Sequence, residues 1–281
     1  MKRFALAAAV ALLIVPQAFA GPWIKSLAVA QKKAKESKQL IFVDLFADWC
    51  GWCHRMEQEV FPSAAFQNAT DNMVLLRLNT EDGAEGSAFA RKYQVTSLPT
   101  FLMLSSDGNT LAGMIKGYAP APEFVASVKN TQTKYQGFLD RVASEGTIAG
   151  DYQKRLDLAT EFGQRGDYTA SETRLRKLMT DAKAPAEIRE KAYYNLAVTQ
   201  VSQGKRDESL KTIEKFSSVT TKGESLEMAR LLASQIYYEQ GDLKAAVAEL
   251  KRFKTSFPNS VLMPRVDQLL PQLEAQLKST K

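Results

Sequence analysis

Leu40 to Ala47 (LIFVDLFA) is a near-continuous apolar run interrupted only by Asp44. A run of this kind, without helical spacing, reads as a strand covered on both faces, and such a strand needs helices to cover it. The chain must therefore build an α/β layer around residues 40–47. The flanking pattern agrees. Trp23 to Lys35 reads as a helix, and Met73 to Leu78 and Thr100 to Leu104 read as further strands. Asp107-Gly108-Asn109 is a turn into Thr110 to Ile115, so the last two strands are expected to pair as a hairpin. Glu85 to Tyr93 and Pro122 to Lys134 complete the set as helices. The expected order is helix, strand, helix, strand, helix, strand, strand, helix.

The chain has 281 residues, 45% hydrophobic and 24% charged, which is enough material for more than one core and excludes a collagen-like, low-complexity or mainly disordered polymer. Lys2 and Arg3, the apolar stretch Phe4 to Val15 and the small-x-small motif Ala18-Phe19-Ala20 have the form of an export leader over residues 1–20, with cleavage after Ala20. An uncleaved N-terminal anchor is the alternative. No later segment approaches the roughly 20 apolar residues that a membrane helix needs. The formal charge is +6, and +4 without Lys2 and Arg3, with both signs interspersed, so no nucleic-acid partner is expected.

From about Gly150 the strand signals vanish and helix formers dominate. Gly166, Gly204 and Gly241 recur 38 and 37 residues apart, each between two amphipathic stretches. Seven residues before each stands a small residue (Ala159, Ala197, Ser234), and five after it another (Ser171, Ser209, Ala246). Small side chains at those points let two helices approach closely while the glycine turns the chain between them. Leu175, Ile213 and Leu250 follow, then Leu178, Phe216 and Phe253, and Pro258 ends the third unit. Residues 151–259 resemble the tetratricopeptide repeat, with Lys183 and Gln200 departing from the pattern. An unrelated antiparallel helical bundle is the alternative.

The chemical signal is Trp49-Cys50-Gly51-Trp52-Cys53-His54, which holds both cysteines and the single histidine of the chain. With one histidine no Cys/His zinc site can be completed, so no metal is expected and the cysteines act as a pair. Two cysteines two residues apart, where a buried strand gives way to a helix, can close a small disulfide ring on one turn. Cys50 then sits at the helix N-terminus, where unpaired N–H groups and the macrodipole stabilise an anion by about 1–2 kcal/mol, lowering a thiol pKa by roughly one unit. Cys50 is the expected attacking sulfur. Cys53, one turn deeper on the face of Met56 and Val60, is expected to be shielded and to resolve the mixed disulfide.

This segment is similar to the thioredoxin family, whose members place a Trp-Cys-x-x-Cys motif after the first central strand. A second family feature is Ser97-Leu98-Pro99-Thr100 ahead of a strand. The resemblance covers Trp23 to Lys134 and implies a thioredoxin fold, a central mixed sheet flanked by helices, followed here by an all-α helical-repeat domain. It implies a cis peptide bond at Pro99, and a groove rimmed by Trp49, Gly51, Trp52, Leu98, Pro99 and Gly117. It also implies that Asp44 handles the proton of Cys53. A carboxylate inside LIFVDLFA should be desolvated and have a raised pKa, which suits that task. An exposed strand-end position for Asp44, and a merely solvent-covering role for Trp52, are the alternatives. The expected organisation is leader 1–20, thioredoxin-like domain 21–136, linker or connecting helix 137–150 and helical repeats 151–281.

The implied protein is a periplasmic thiol–disulfide oxidoreductase without metal or organic cofactor. It acts on protein disulfides and exchanges electrons with a separate thiol partner, a membrane-borne relay as in related systems. The repeats hold a protein or peptide. Gly51-Trp52 replaces the Gly-Pro of general reductants and the histidine of strong oxidants, and the lack of that stabilising charge leans toward a reductase. His54 adds charge below its pKa or is a plain helix residue. Three rivals share these residues: a c-type haem attachment at Cys-x-x-Cys-His, a bare structural disulfide, and a non-catalytic protein-binding scaffold.

Overall fold

The structure, a computed structural model, describes residues 23–279; the expected leader and its cleavage site lie outside the described residues. Two compact units are formed, one from residues up to Asp107 with Met114–Thr131, the other from Gly108–Gly113 with residues from Gln132 onward. Among the described residues no helix is long and apolar enough to cross a membrane.

The first unit holds most of a mixed sheet flanked by helices, the fourth strand and last helix of which also include residues of the second unit. In chain order come α1 (Leu27–Ser37), β1 (Leu40–Phe46), α2 (Gly51–Arg55), α3 (Ala64–Thr70), β2 (Met73–Asn79), α4 (Glu85–Lys92), β3 (Thr100–Leu104), β4 (Leu111–Lys116) and α5 (Ala121–Ala143). The strand order is β2-β1-β3-β4, with β1 parallel to β2 and antiparallel to β3. The apolar run is thus an interior strand, and Ile41, Phe42, Val43 and Leu45 are fully buried. Phe42 stacks on Phe101 of β3 and meets Phe66 of α3 and Phe124 of α5 edge-on, and Phe66 and Phe124 also meet, so aromatic rings tie both helices to one face of the sheet.

Two local features differ from the sequence pattern. Trp23 and Ile24 are extended rather than helical: Ile24 accepts from the Arg77 amide at 2.8 Å and donates to the Leu75 carbonyl at 2.9 Å. An open strand edge offers unpaired amides and carbonyls, and Ile24 takes those of β2 before α1 begins at Leu27. The helix carrying the cysteines continues from α2 into a π-helical turn, Met56–Val60, and the short α3 follows it. Ser63 starts α3 by accepting from the Phe66 amide at 3.2 Å. α5 runs unbroken to Ala143, within the stretch expected to be a linker or connecting helix, and a 3-10 turn follows at Glu145–Ile148.

The second unit is helical: α6 (Tyr152–Gln164), α7 (Tyr168–Thr180), α8 (Ala186–Ser202), α9 (Arg206–Val219), α10 (Glu224–Glu239), α11 (Leu243–Ser256) and α12 (Met263–Ser279). The recurring glycines turn α6 into α7, α8 into α9 and α10 into α11, with φ of +78°, +78° and +80°, a left-handed region that disfavours side chains with a Cβ. The small residues meet across the second and third hairpins, as the Ser209 hydroxyl donates to Ala197 O at 2.9 Å and that of Ser234 to Ala246 O at 3.0 Å. Gln200, which departs from the repeat pattern, is buried and accepts from the Thr212 hydroxyl at 2.7 Å. A polar group is tolerated there because its partner lies one turn further along the same hairpin. Lys183 lies exposed in the connection between α7 and α8.

Candidate active site

β1 delivers the chain to the cysteines. Cys50 donates its amide to Ala47 O at 3.0 Å and caps α2, its sulfur accepting from the Cys53 amide at 3.2 Å. A residue at this position normally offers an oxygen to the unpaired helix amides, and here a sulfur takes that place. The two sulfurs are joined at 2.08 Å with their Cα atoms 5.3 Å apart. The amide aimed at the Cys50 sulfur is the local feature that would favour a thiolate there after reduction.

The expected difference in shielding is not observed. Cys50 is 3% exposed and Cys53 2%, clustered with Ala47, and the partly buried Phe46 and Leu98 pack against them. What separates the two sulfurs is hydrogen bonding, since the Cys50 sulfur caps the helix and the Cys53 sulfur lies within it.

Asp44 is buried in the middle of β1, paired in register with Arg77 of β2 and Phe101 of β3, which excludes an exposed strand-end position. Burial pushes its pKa from the ordinary 3.8 up to about 7, against the pull of the Arg77 guanidinium; the nearby Glu57 carboxylate adds to the rise. Arg77 Nε lies 3.0 Å from Asp44 Oδ2, close enough for charge attraction, but its N–H is not aimed along a hydrogen bond, and Asp44 Oδ1 has no hydrogen-bond partner among the described residues. Arg77 also donates to Glu57 and stacks its guanidinium 4.0 Å above the Phe46 ring. Glu57, four residues beyond Cys53 and partly exposed, thus connects the buried carboxylate to solvent through one arginine.

Neither Arg77 nor Glu57 was picked out from the sequence. The signal for Arg77 was present: it is the lone charge in the apolar run Met73 to Leu78, as Asp44 is in its own run. Two lone opposite charges in neighbouring buried strands call for each other. Glu57 carried no such signal, because a glutamate on a helix is ordinarily a solvated residue.

The remaining expected residues fall around the cysteines unevenly. The Leu98–Pro99 peptide bond is cis, and Leu98 packs on the cysteine cluster. Gly117, with φ +82°, donates its amide to the Pro99 carbonyl at 2.8 Å, which joins the loop after β4 to the proline loop. Gly51 is exposed at the start of α2. The two tryptophans are held by different partners. Trp49 is 69% exposed, its indole N–H donating to Glu81 at 2.8 Å, whereas Trp52 is 53% exposed and stacked on Tyr118. His54 Nε2 lies 2.8 Å from the Asp48 carbonyl, and its Nδ1 3.8 Å from Glu57.

Residues 27–132 match the family model of a thioredoxin-like domain, and residues 228–260 that of a tetratricopeptide repeat. The thiol:disulfide interchange protein DsbD of Cronobacter sakazakii is 33% identical over 105 residues, 37% of this chain and 18% of that protein. The DsbD of Colwellia psychrerythraea is 35% identical over 102 residues, 35% of this chain and 17% of that protein. The chain thus spans less than a fifth of the length of these relatives. Among solved structures, a DsbH oxidoreductase aligns with a TM-score of 0.36 at 19% identity, over 44% of this chain and 94% of that one. A thioredoxin from Thermus thermophilus aligns with a TM-score of 0.36 at 21% identity, over 40% of this chain and 88% of that one. The chain carries a thioredoxin-like domain and a tetratricopeptide repeat, as the sequence resemblance implies.

Proposed function

We propose that the thioredoxin-like domain catalyses thiol–disulfide exchange, in the direction of protein-disulfide reduction, in the periplasm. The observation that carries the reading is the capping of α2 by the Cys50 sulfur, with an amide of the same turn directed at it. In the reduced protein the Cys50 thiolate attacks one sulfur of a substrate disulfide. The substrate S–S bond breaks, a mixed disulfide to Cys50 forms, and the departing thiolate takes a proton from water. Asp44 then accepts the proton of Cys53, whose thiolate attacks the Cys50 sulfur. This frees the second substrate thiolate and leaves the Cys50–Cys53 disulfide. Two electrons have passed to the substrate.

Restoring the dithiol needs a separate thiol donor, since the chain has no third cysteine. A membrane-borne relay is the proposed donor, and the similarity to DsbD, a thiol:disulfide interchange protein, supports a partner of that chemistry. The helical repeats are proposed to hold a polypeptide client. The family match covers Cys50 to His54, which favours reading the haem-attachment pattern as part of a thioredoxin-like turn. The near-complete cover over both sulfurs is the one observation that favours a non-catalytic scaffold.

Reduction of insulin disulfides by dithiothreitol, followed by turbidity, separates the readings. Wild type should accelerate precipitation and Cys50→Ser should not. Equal rates with the two proteins would remove the enzyme reading and leave the scaffold.

A further inference from the structure

We propose that Tyr118, with Arg55 and Glu59, is a positioning device that fixes the Trp52 indole as a wall of the dithiol site, and that this wall selects polypeptide disulfides over small ones. The inference rests on the oxidoreductase reading and deepens it.

A tryptophan set between two cysteines and half exposed would ordinarily be free to change rotamer over the sulfurs. Trp52 is not free. Its ring stacks on that of Tyr118, with centroids 5.3 Å apart and an interplanar angle of 30°. The Arg55 guanidinium lies 5.4 Å from the Trp52 centroid and 5.0 Å from that of Tyr118, so one cation faces both rings. Arg55 Nε donates to Glu59 Oε1 at 3.0 Å, and the Tyr118 hydroxyl donates to the other oxygen of the same carboxylate. The contacts close a circuit through Trp52, Tyr118, Glu59 and Arg55.

Three members of the circuit lie at spacings of three and four on the continuous helical stretch after Cys50, so they share one face. The fourth comes from the loop after β4 and directly follows Gly117, whose amide is tied to Pro99. The circuit therefore links the cysteine helix, through Tyr118 and the neighbouring Gly117, to the proline loop whose Leu98 packs on the cysteines. Trp49 differs, since a single hydrogen bond to Glu81 holds it and it is the more exposed of the two.

A side chain ordered before a partner arrives loses no rotamer freedom on binding, so a fixed indole face strengthens contact with a flanking polypeptide. A small disulfide has no flanking chain to lie against that face and gains nothing from it. Tyr118 consequently acts on polypeptide affinity through Trp52, without entering the bond exchange.

The test uses the full chain and two substrates, insulin and hydroxyethyl disulfide, with wild type, Tyr118→Ala, Tyr118→Phe and Cys50→Ser. Tyr118→Ala should raise KM for insulin about fivefold, with kcat and the hydroxyethyl disulfide rate changed less than about twofold. Tyr118→Phe keeps the ring and should recover most of the loss. Independently of turnover, acrylamide quenching in a Trp49→Phe background, with the Trp23 contribution taken from Trp49→Phe/Trp52→Phe, should show the Trp52 indole more accessible in Tyr118→Ala. Equal loss on both substrates, a fall in kcat alone, or no change in either KM or quenching with an active wild type would overturn this inference while leaving the oxidoreductase reading intact. A wild type no faster than Cys50→Ser on either substrate would overturn that reading and the selectivity built on it.

Discussion

Asp44 is the residue at which folding and chemistry oppose each other. Its carboxyl titrates near 7 in the folded protein and near 3.8 as an ordinary carboxylate. Between those values the folded state binds more protons than the unfolded one, so stability falls as pH rises through the window. Asp44→Asn should therefore stabilise the protein above pH 7, by on the order of 2–4 kcal/mol, and the gain should fade toward pH 4. Urea midpoints at pH 4 and pH 8 check this, and an equal shift at both would contradict it. The same titration limits the proposed reaction, since only the ionised carboxylate can accept the Cys53 proton. The pH profile of single-turnover resolution should rise through about pH 7. Glu57→Gln removes a charge that raises the Asp44 pKa and should move the profile down, whereas Arg77→Met removes one that lowers it and should move the profile up. Asp44 was legible in the sequence because a charge inside an apolar strand must be buried. Its partners depend on strand register, which puts Arg77 opposite it and which no single run displays.

At the scale of elements, the strands and the repeat hairpins were legible and the short connections were not. β1 and β3 lie where the apolar runs put them, because a fully buried strand has few other placements. α3 was missed because it is a single seven-residue helix between two turns, stabilised by the Ser63 cap and the burial of Phe66 more than by periodicity. The entry to α4 shows how tightly a connection can be specified. Asp82 accepts from the amides of Ala84, Gly86 and Ser87, which holds its carboxyl below the usual range even though burial opposes this. A Cβ on Gly86 would stand 1.8 Å from the Asn79 carbonyl oxygen and 2.6 Å from its carbon, so the backbone itself would have to move. Gly86→Ala should cost about 2–4 kcal/mol in urea unfolding. A change below the error of the measurement would show that this turn can shift without penalty.

For the whole molecule, each unit has its own core and its own spectroscopic signature. All three tryptophans, Trp23, Trp49 and Trp52, belong to the first unit, while most of the helix belongs to the second. Phe253 is fully buried in the core of the repeats. Phe253→Ala should cost about 3–5 kcal/mol there. The main far-UV circular dichroism transition is expected to move to lower temperature while the tryptophan fluorescence transition stays in place. A joint shift of both signals would mean that the units unfold as one.

The sequence by itself determined the classes of structure and the chemistry available: a strand buried on both faces, a glycine-punctuated set of helical hairpins, and one cysteine pair at the end of the strand. These follow from local pattern, since burial, turn geometry and the reach of a disulfide all act over a few residues. Only the tertiary structure decided which groups meet across the chain. It set Arg77 between Asp44 and Glu57, closed the circuit that holds Trp52, and covered Cys50 as completely as Cys53. Each of those contacts joins elements far apart in sequence, and their geometry is fixed by sheet register and helix packing rather than by any local preference.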